Sequence, residues 1–178
     1  MNGKTACRIY LIRHGETANA GEVCFNGHFD VDLSDQGKAQ SRRIAEALKN
    51  LPIKAIYSSD LKRTQIGAQY VAVEHDLKHT PCEELRELAF GDWEGLSVAE
   101  VNRKYPDKLK ERLNNIEQFH VEGGESFFQL RDRVIPKFNE IISMHPHDSI
   151  IILCHGGVIR TILAHVLEVP IKNLFRIN

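Results

Sequence analysis

Short apolar runs alternate along the chain with stretches in which apolar residues recur every three or four positions. This alternation predicts an α/β fold, a three-layer sandwich in which helices cover both faces of a mainly parallel sheet. Strands are expected over 7–12, over 55–57 and over 149–154. Ser34 reads as the N-cap of a helix over 35–50 that buries Ala39, Ile44, Ala45 and Leu48 and stops before Pro52. Another helix is expected over 61–74. Ser97 and Glu100 make a capping box for a helix that ends before Pro106, followed by a polar helix over 107–118. A long helix should run from Ser126 to Met144, kinked or divided at Pro136, and a last one over 157–168 with Val158, Ile162, Leu163 and Val166 on its buried stripe. The mixed stretch 83–96 reads as strand then loop, and 19–33 as a long loop. At 178 residues the chain is expected to form one domain, 1–178.

Two of the strands end in chemistry. The first runs into Arg13-His14-Gly15 and the late one into His155-Gly156-Gly157. Right-handed crossovers would bring both ends, and Ser58 at the end of the second strand, to one carboxyl edge of the sheet, where open α/β sheets hold ligands. A lone histidine at a strand end is ordinarily a hydrogen-bonded core residue. Two at equivalent ends, each followed by glycine and one preceded by arginine, point to a site. An imidazole beside a guanidinium suits attack on a dianionic phosphate, with the arginine gripping two oxygens. Arg63 lies in the first turn of the helix after Ser58-Ser59-Asp60, where backbone amides also favour an anion. An acid is needed for the leaving group, and spacing alone leaves Glu84, Glu87, Asp92 and Glu94 open. His28, in the turn Asn26-Gly27-His28, is placed to reach a ligand. His75, His79, His120, His145, His147 and His165 are read as surface or structural.

Bulk composition narrows the classes. Apolar residues make up 42% and charged residues 26%, with a net charge of −1. That balance offers no polyelectrolyte argument for nucleic acid or an anionic membrane. No apolar run approaches the ~20 residues of a membrane span, and no leader is read at the N-terminus. The four cysteines lack metal-like spacing and read as reduced thiols of a cytoplasmic protein. Neither a metal nor another cofactor is expected.

Five blocks carry a resemblance: residues 11–17 around Arg13-His14-Gly15-Glu16-Thr17; Tyr57-Ser58-Ser59-Asp60-Leu61-Lys62-Arg63; Leu85-Arg86-Glu87 with 90–95; Gly123-Gly124-Glu125-Ser126; and Cys154-His155-Gly156-Gly157-Val158-Ile159-Arg160. In this order they resemble the histidine phosphatase superfamily, the phosphoglycerate-mutase-like family, over nearly the whole chain. The resemblance implies His14 as a nucleophile that becomes phosphohistidine, Arg13, Arg63, His155 and Gly156 around the phosphate, and Glu87 as the proton donor. It implies a neutral His14, a protonated His155 and a protonated Glu87. Two departures stand out. The asparagine that usually follows the nucleophile by six residues is Ala20 here, with Asn19 one earlier; Asn19, Asn26, Gly27 and His28 complete the expected substrate contacts. Residues 175–177 would begin a last strand that is cut short, leaving a sheet edge free for association as a homodimer.

Within that family, the 68 positions from Glu87 to His155 are fewer than mutases carry, which favours an open pocket and hydrolysis. The loop over 25–34 loosely resembles that of α-ribazole phosphatases. The expected function is a metal-independent phosphomonoester hydrolase acting on a small metabolite such as α-ribazole 5'-phosphate. A phosphoglycerate mutase, a protein phosphohistidine phosphatase and a non-catalytic phosphate-binding module are the alternatives.

Overall fold

The computed structural model describes residues 6–176. Strands β1 (Arg8–Arg13), β2 (Ile53–Ser59), β3 (His79–Cys82) and β4 (Ser149–Cys154) form one parallel sheet in the order β1-β4-β2-β3. Helices α1 (Asp35–Leu48) and α2 (Lys62–Glu74) cover one face, and α5 (Phe127–Met144) and α6 (Gly156–Val166) the other. The two faces divide β4 by its pleat. Ile150, Ile152 and Cys154 join the α5/α6 core, whereas Ile151 and Leu153 join the α1/α2 core. A small third cluster, built on Trp93, Val101 and Val121, holds the short helices α3 (Val98–Lys104) and α4 (Lys108–Asn114) beside the carboxyl edge.

The expected helices are present, and Ser34, Ser97 and Ser126 each cap one, the last two through capping boxes. Three expectations need correction. The strand expected early in 83–96 lies instead at His79–Cys82, and 83–96 is irregular, with 3-10 turns at Glu83–Leu85 and Gly91–Trp93. That strand escapes a periodicity reading because it contains Pro81, tolerable only because β3 is an edge strand. Pro136 does not divide α5, because it sits on the exposed side, where the carbonyl it leaves unpaired at Asp132 can meet water. The last strand expected over 175–177 does not begin at Phe175 and Arg176, which end a 3-10 segment, Ile171–Arg176; residue 177 lies outside the described residues.

Two packing devices fix the carboxyl edge. A methyl group on Gly15 would collide with the backbone of Gly37, and one on Gly37 with the backbone of Glu16. The turn after His14 therefore lies directly on the first turn of α1. Ser34 Oγ donates to Glu16 Oε1 at 2.6 Å, and the Glu16 amide donates to Gln40 Oε1 at 2.9 Å. The glycine after His14 is required by this close approach, and its φ is not among the positive ones. On the other side Arg133, in α5, reaches across to the irregular stretch. Its Nε and Nη2 donate to the two Glu125 carboxylate oxygens at 2.7 Å each. Nη1 donates to the carbonyls of Glu84 (2.8 Å) and Arg86 (2.9 Å), and Nη2 also to that of Glu87 (2.8 Å). Glu125 Oε2 in turn accepts from the Ala89 amide at 3.1 Å. Burial works to raise the Glu125 pKa, but Arg133 and that amide hold it below its ordinary value.

Arg133→Met would remove all five of these arginine bonds, leaving Glu125 with the Ala89 amide and taking a donor from each of the Glu84, Arg86 and Glu87 carbonyls. Stability should fall by about 3 kcal/mol, the order seen when one partner of an enclosed pair is deleted. The measurement is a lower urea midpoint with unchanged slope; a midpoint equal to wild type would contradict the scaffold role.

Candidate active site

β1 and β4 are adjacent, so Arg13 stands opposite Cys154 and the His14 amide donates to the Cys154 carbonyl at 3.1 Å. The register delivers the two strand-end histidines side by side, their ring centroids 5.2 Å apart and their planes tilted by 60°. A cleft of about 320 Å³ opens over His14. Arg13, Asn19, Asn26, Gly27, Arg63, Glu87 and the rings of Phe25 and Phe90 line it. The sequence-predicted residues Arg13, His14, Arg63 and Glu87 thus converge, with the fully enclosed His155 beside His14.

His14 Nδ1 lies 2.7 Å from the Gly15 carbonyl. A carbonyl only accepts, so Nδ1 carries the hydrogen and Nε2 keeps a free lone pair. Burial pushes the His14 pKa down to about 4, with Arg63 and Arg13 adding to the fall and the Gly15 bond opposing it. The ring is neutral at pH 7. His155 departs from expectation. Burial drives its pKa well below 6.5, and Arg63, His14, Arg133 and Arg13 act in the same direction, so in the free protein it is neutral as well. Neither of its ring nitrogens has a hydrogen-bond partner among the described residues.

Arg63 is 1% exposed. Its Nη1 donates to the Phe29 carbonyl at 2.9 Å and its Nη2 to the Gly27 carbonyl at 2.5 Å, whereas its Nε is enclosed and unpartnered. The first-turn amides of α2 contribute less than expected, since Asp30 Oδ1 already accepts from Lys62 N at 2.8 Å. Glu87 lies over the start of α6. Its Oε1 accepts from the Leu88 amide at 2.9 Å and from Gly157 N at 3.1 Å, and its Oε2 shares the Gly157 hydrogen at 3.1 Å. A methyl group on Gly157 would collide with Glu87 Oε1, which explains the second glycine of the motif. Gly156 opens α6 and leaves room beside the Arg13 guanidinium, whose carbon would lie 3.8 Å from an added methyl group.

Asn19 and Asn26 pair through their amides at 2.7 and 3.2 Å on the cleft wall. Asn19, one position before the usual one, thus reaches the cleft. Gly27 adopts a positive φ of 46° there. His28 turns away from the cleft lining. Its Nε2 bonds the Glu87 carbonyl at 2.9 Å, and its amide donates to Glu94 Oε1 at 2.7 Å. Of the remaining histidines, His79 bonds Ser58, and His145 bridges Tyr57 and Asp148. Sequence reasoning did not single out Arg133, nor the Arg86–Asp60 pair, with bonds of 2.7 and 2.6 Å, that ties the Glu87 stretch to the end of β2. Glu125 lay within a quoted motif; no local pattern marks Arg133. Among the described residues no group of His, Cys, Asp and Glu could hold a metal ion, and no helix is long and apolar enough to cross a membrane.

The model of branch 1 of the histidine phosphatase superfamily matches residues 9–178. The chain is 38% identical over 157 residues to phosphoglycerate mutase-like protein 4 of Arabidopsis thaliana, covering 86% of this chain and 68% of the relative. Mycobacterial glucosyl-3-phosphoglycerate phosphatase superposes with a TM-score of 0.87 at 28% identity, over 97% of this chain and 85% of that one. The α-ribazole phosphatase of Shigella flexneri gives a TM-score of 0.87 at 25% identity, over 95% and 84%. The parallel sheet, the five ordered motifs and this kinship agree: the chain belongs to branch 1 of the histidine phosphatase superfamily and is a phosphatase.

Proposed function

We propose that the protein hydrolyses a small phosphomonoester without a metal, through a phosphohistidine at His14. The observation that carries this reading is the His14 ring, which is neutral and has its Nε2 lone pair free in a cleft lined by guanidinium groups. Nε2 attacks phosphorus while the bond from phosphorus to the leaving oxygen breaks. Arg13, Arg63 and the α6 amide at Gly156 hold the equatorial oxygens, already oriented before the reaction begins. His155 enters neutral and shares a proton with the dianion that binds against it. Glu87 passes a proton from Oε2, the less occupied of its two oxygens, to the leaving group. It then takes a proton from water as the oxygen attacks phosphorus, the P–N bond breaks and phosphate departs. The relatives support hydrolysis of small phosphorylated metabolites, with glucosyl-3-phosphoglycerate and α-ribazole phosphatases among them. α-Ribazole 5'-phosphate and the phosphoglycerates therefore belong in the substrate panel.

Phosphate release measured in EDTA across that panel should persist, should disappear in His14→Ala, and should fall on the order of 10²- to 10³-fold in Arg63→Met. Activity lost with EDTA, or retained without His14, would refute the scheme; interconversion of phosphoglycerates without release would make the enzyme a mutase. Gly157→Ala should push Glu87 off the leaving oxygen and lower kcat by about 10²-fold, with KM little changed. The enclosed histidines also set a pH dependence. Unfolded histidines protonate near 6.5, but folded His14 does so only near 4 and folded His155 well below 6.5, so in that window the unfolded chain binds more protons. Stability should therefore fall as pH drops from 7 to 5, and His14→Asn should flatten the decline in the urea midpoint. An identical decline in the variant would show that His14 has no part in it.

A further inference from the structure

His28 meets the site from behind. Its ring is half-buried and stands outside the cleft lining, with Nε2 2.9 Å from the Glu87 carbonyl. A carbonyl only accepts, so Nε2 carries the hydrogen. Arg133 Nη2 donates to the same oxygen at 2.8 Å. The N–H of that same peptide unit belongs to Leu88, and it donates to Glu87 Oε1 at 2.9 Å. A peptide unit is a rigid plane. Whatever orients its carbonyl also orients its N–H, and here the N–H aims the carboxylate.

The turn that carries His28 is itself tied down. Arg63 donates to the carbonyls on either side of it, Gly27 at 2.5 Å and Phe29 at 2.9 Å. Glu94 Oε1 accepts from the His28 amide at 2.7 Å and from the Phe90 amide at 3.0 Å, which joins the turn to the stretch after Glu87. One chain of hydrogen bonds thus runs from the Arg63 guanidinium, through residues 27–29 and the His28 ring, to the peptide that aims Glu87. Arg133 grips the same carbonyl, but its other bonds go to Glu125 and to the Glu84 and Arg86 carbonyls. His28 is the side chain that carries the link from Arg63 to Glu87. We propose that His28 is a positioning residue for the proton donor, keeping the Glu87 carboxyl in register with Arg63 while touching neither the substrate nor the reacting atoms. That role rests on the reading given above, in which Glu87 protonates the leaving oxygen as its bond to phosphorus breaks.

The test compares kcat/KM for two esters that differ in what their leaving group needs. Para-nitrophenolate departs without a proton, whereas the ethoxide of ethyl phosphate requires one. The ratio of the two values, taken on one sample of full-length protein, does not depend on the fraction folded, so a merely structural loss leaves it unmoved. Glu87→Gln should raise the ratio of nitrophenyl to ethyl ester by about 10²- to 10⁴-fold, the worth of a general acid. His28→Asn, whose amide stops short of the carbonyl, should raise it roughly 10- to 100-fold. His28→Gln, whose longer side chain returns an N–H to the carbonyl, should stay close to wild type. In the Glu87→Gln background, His28→Asn should add nothing, because two residues acting through one group are not additive. A ratio unchanged in His28→Asn, a His28→Gln protein as impaired as His28→Asn, or a full further rise on top of Glu87→Gln would overturn the role of His28. If Glu87→Gln itself left the ratio unmoved, the assignment of Glu87 as acid would fail, and the role of His28 with it.

Discussion

The active site rests on the direct pairing of β1 with β4. Because those strands are parallel neighbours with Arg13 opposite Cys154, the next residue of each is a histidine, and the two rings meet at the same edge. Side chains alternate faces along a strand. A register shift of one residue would therefore send one imidazole into a core and leave the other without its partner. The hydrogen bond from the His14 amide to the Cys154 carbonyl continues the ladder one step past the strands and holds the backbone where the chemistry begins. The cores on the two faces fix that register, since Ile150 and Ile152 belong to one and Ile151 and Leu153 to the other.

Around this pair the protein concentrates positive charge and keeps the imidazoles uncharged. Arg13 and Arg63 lie near two histidines that are buried too deeply to accept a proton at neutral pH. Such a site favours an anion, and on the proposed function a phosphate dianion fills that role. The acidic partner is positioned differently. Glu87 is held through main-chain donors at Leu88 and Gly157, while its own carbonyl is gripped by both Arg133 and His28. The side chain proposed to move a proton is thus anchored at its base by charged and polar groups outside the cleft lining.

Much of this was legible in the sequence. The apolar runs over the first, second and last strands, the serine caps and the helical stripes each follow from local patterning and match the fold. His14 and His155 were visible because a strand that stops in His-Gly is locally odd, and because the oddity occurs twice. What stayed hidden depends on distant contacts. The strand containing Pro81 is short and polar, and it exists only because β2 offers an edge. His28 looked like a ligand contact, but its ring is engaged by a carbonyl 59 residues away. The protonated state expected for His155 is opposed in the free protein by burial, and burial depth is a property of the packed chain. Arg133 and Arg112 are ordinary arginines on ordinary helices until the fold carries one to a row of carbonyls and the other to a pair of aromatic rings.

The strand order has a consequence for how the molecule comes into being. β4 lies between β1 and β2, yet among the described strands it comes last in the chain, some 90 residues after β2 ends. Until it emerges, β1 lacks its one neighbour in the described sheet, and only β2 and β3 can pair. Insertion of β4 closes the sheet, seats both helical layers and brings the second histidine to the first in a single event. The two strand-end histidines therefore cannot meet before β4 is in place, and the edge that carries them forms late in synthesis.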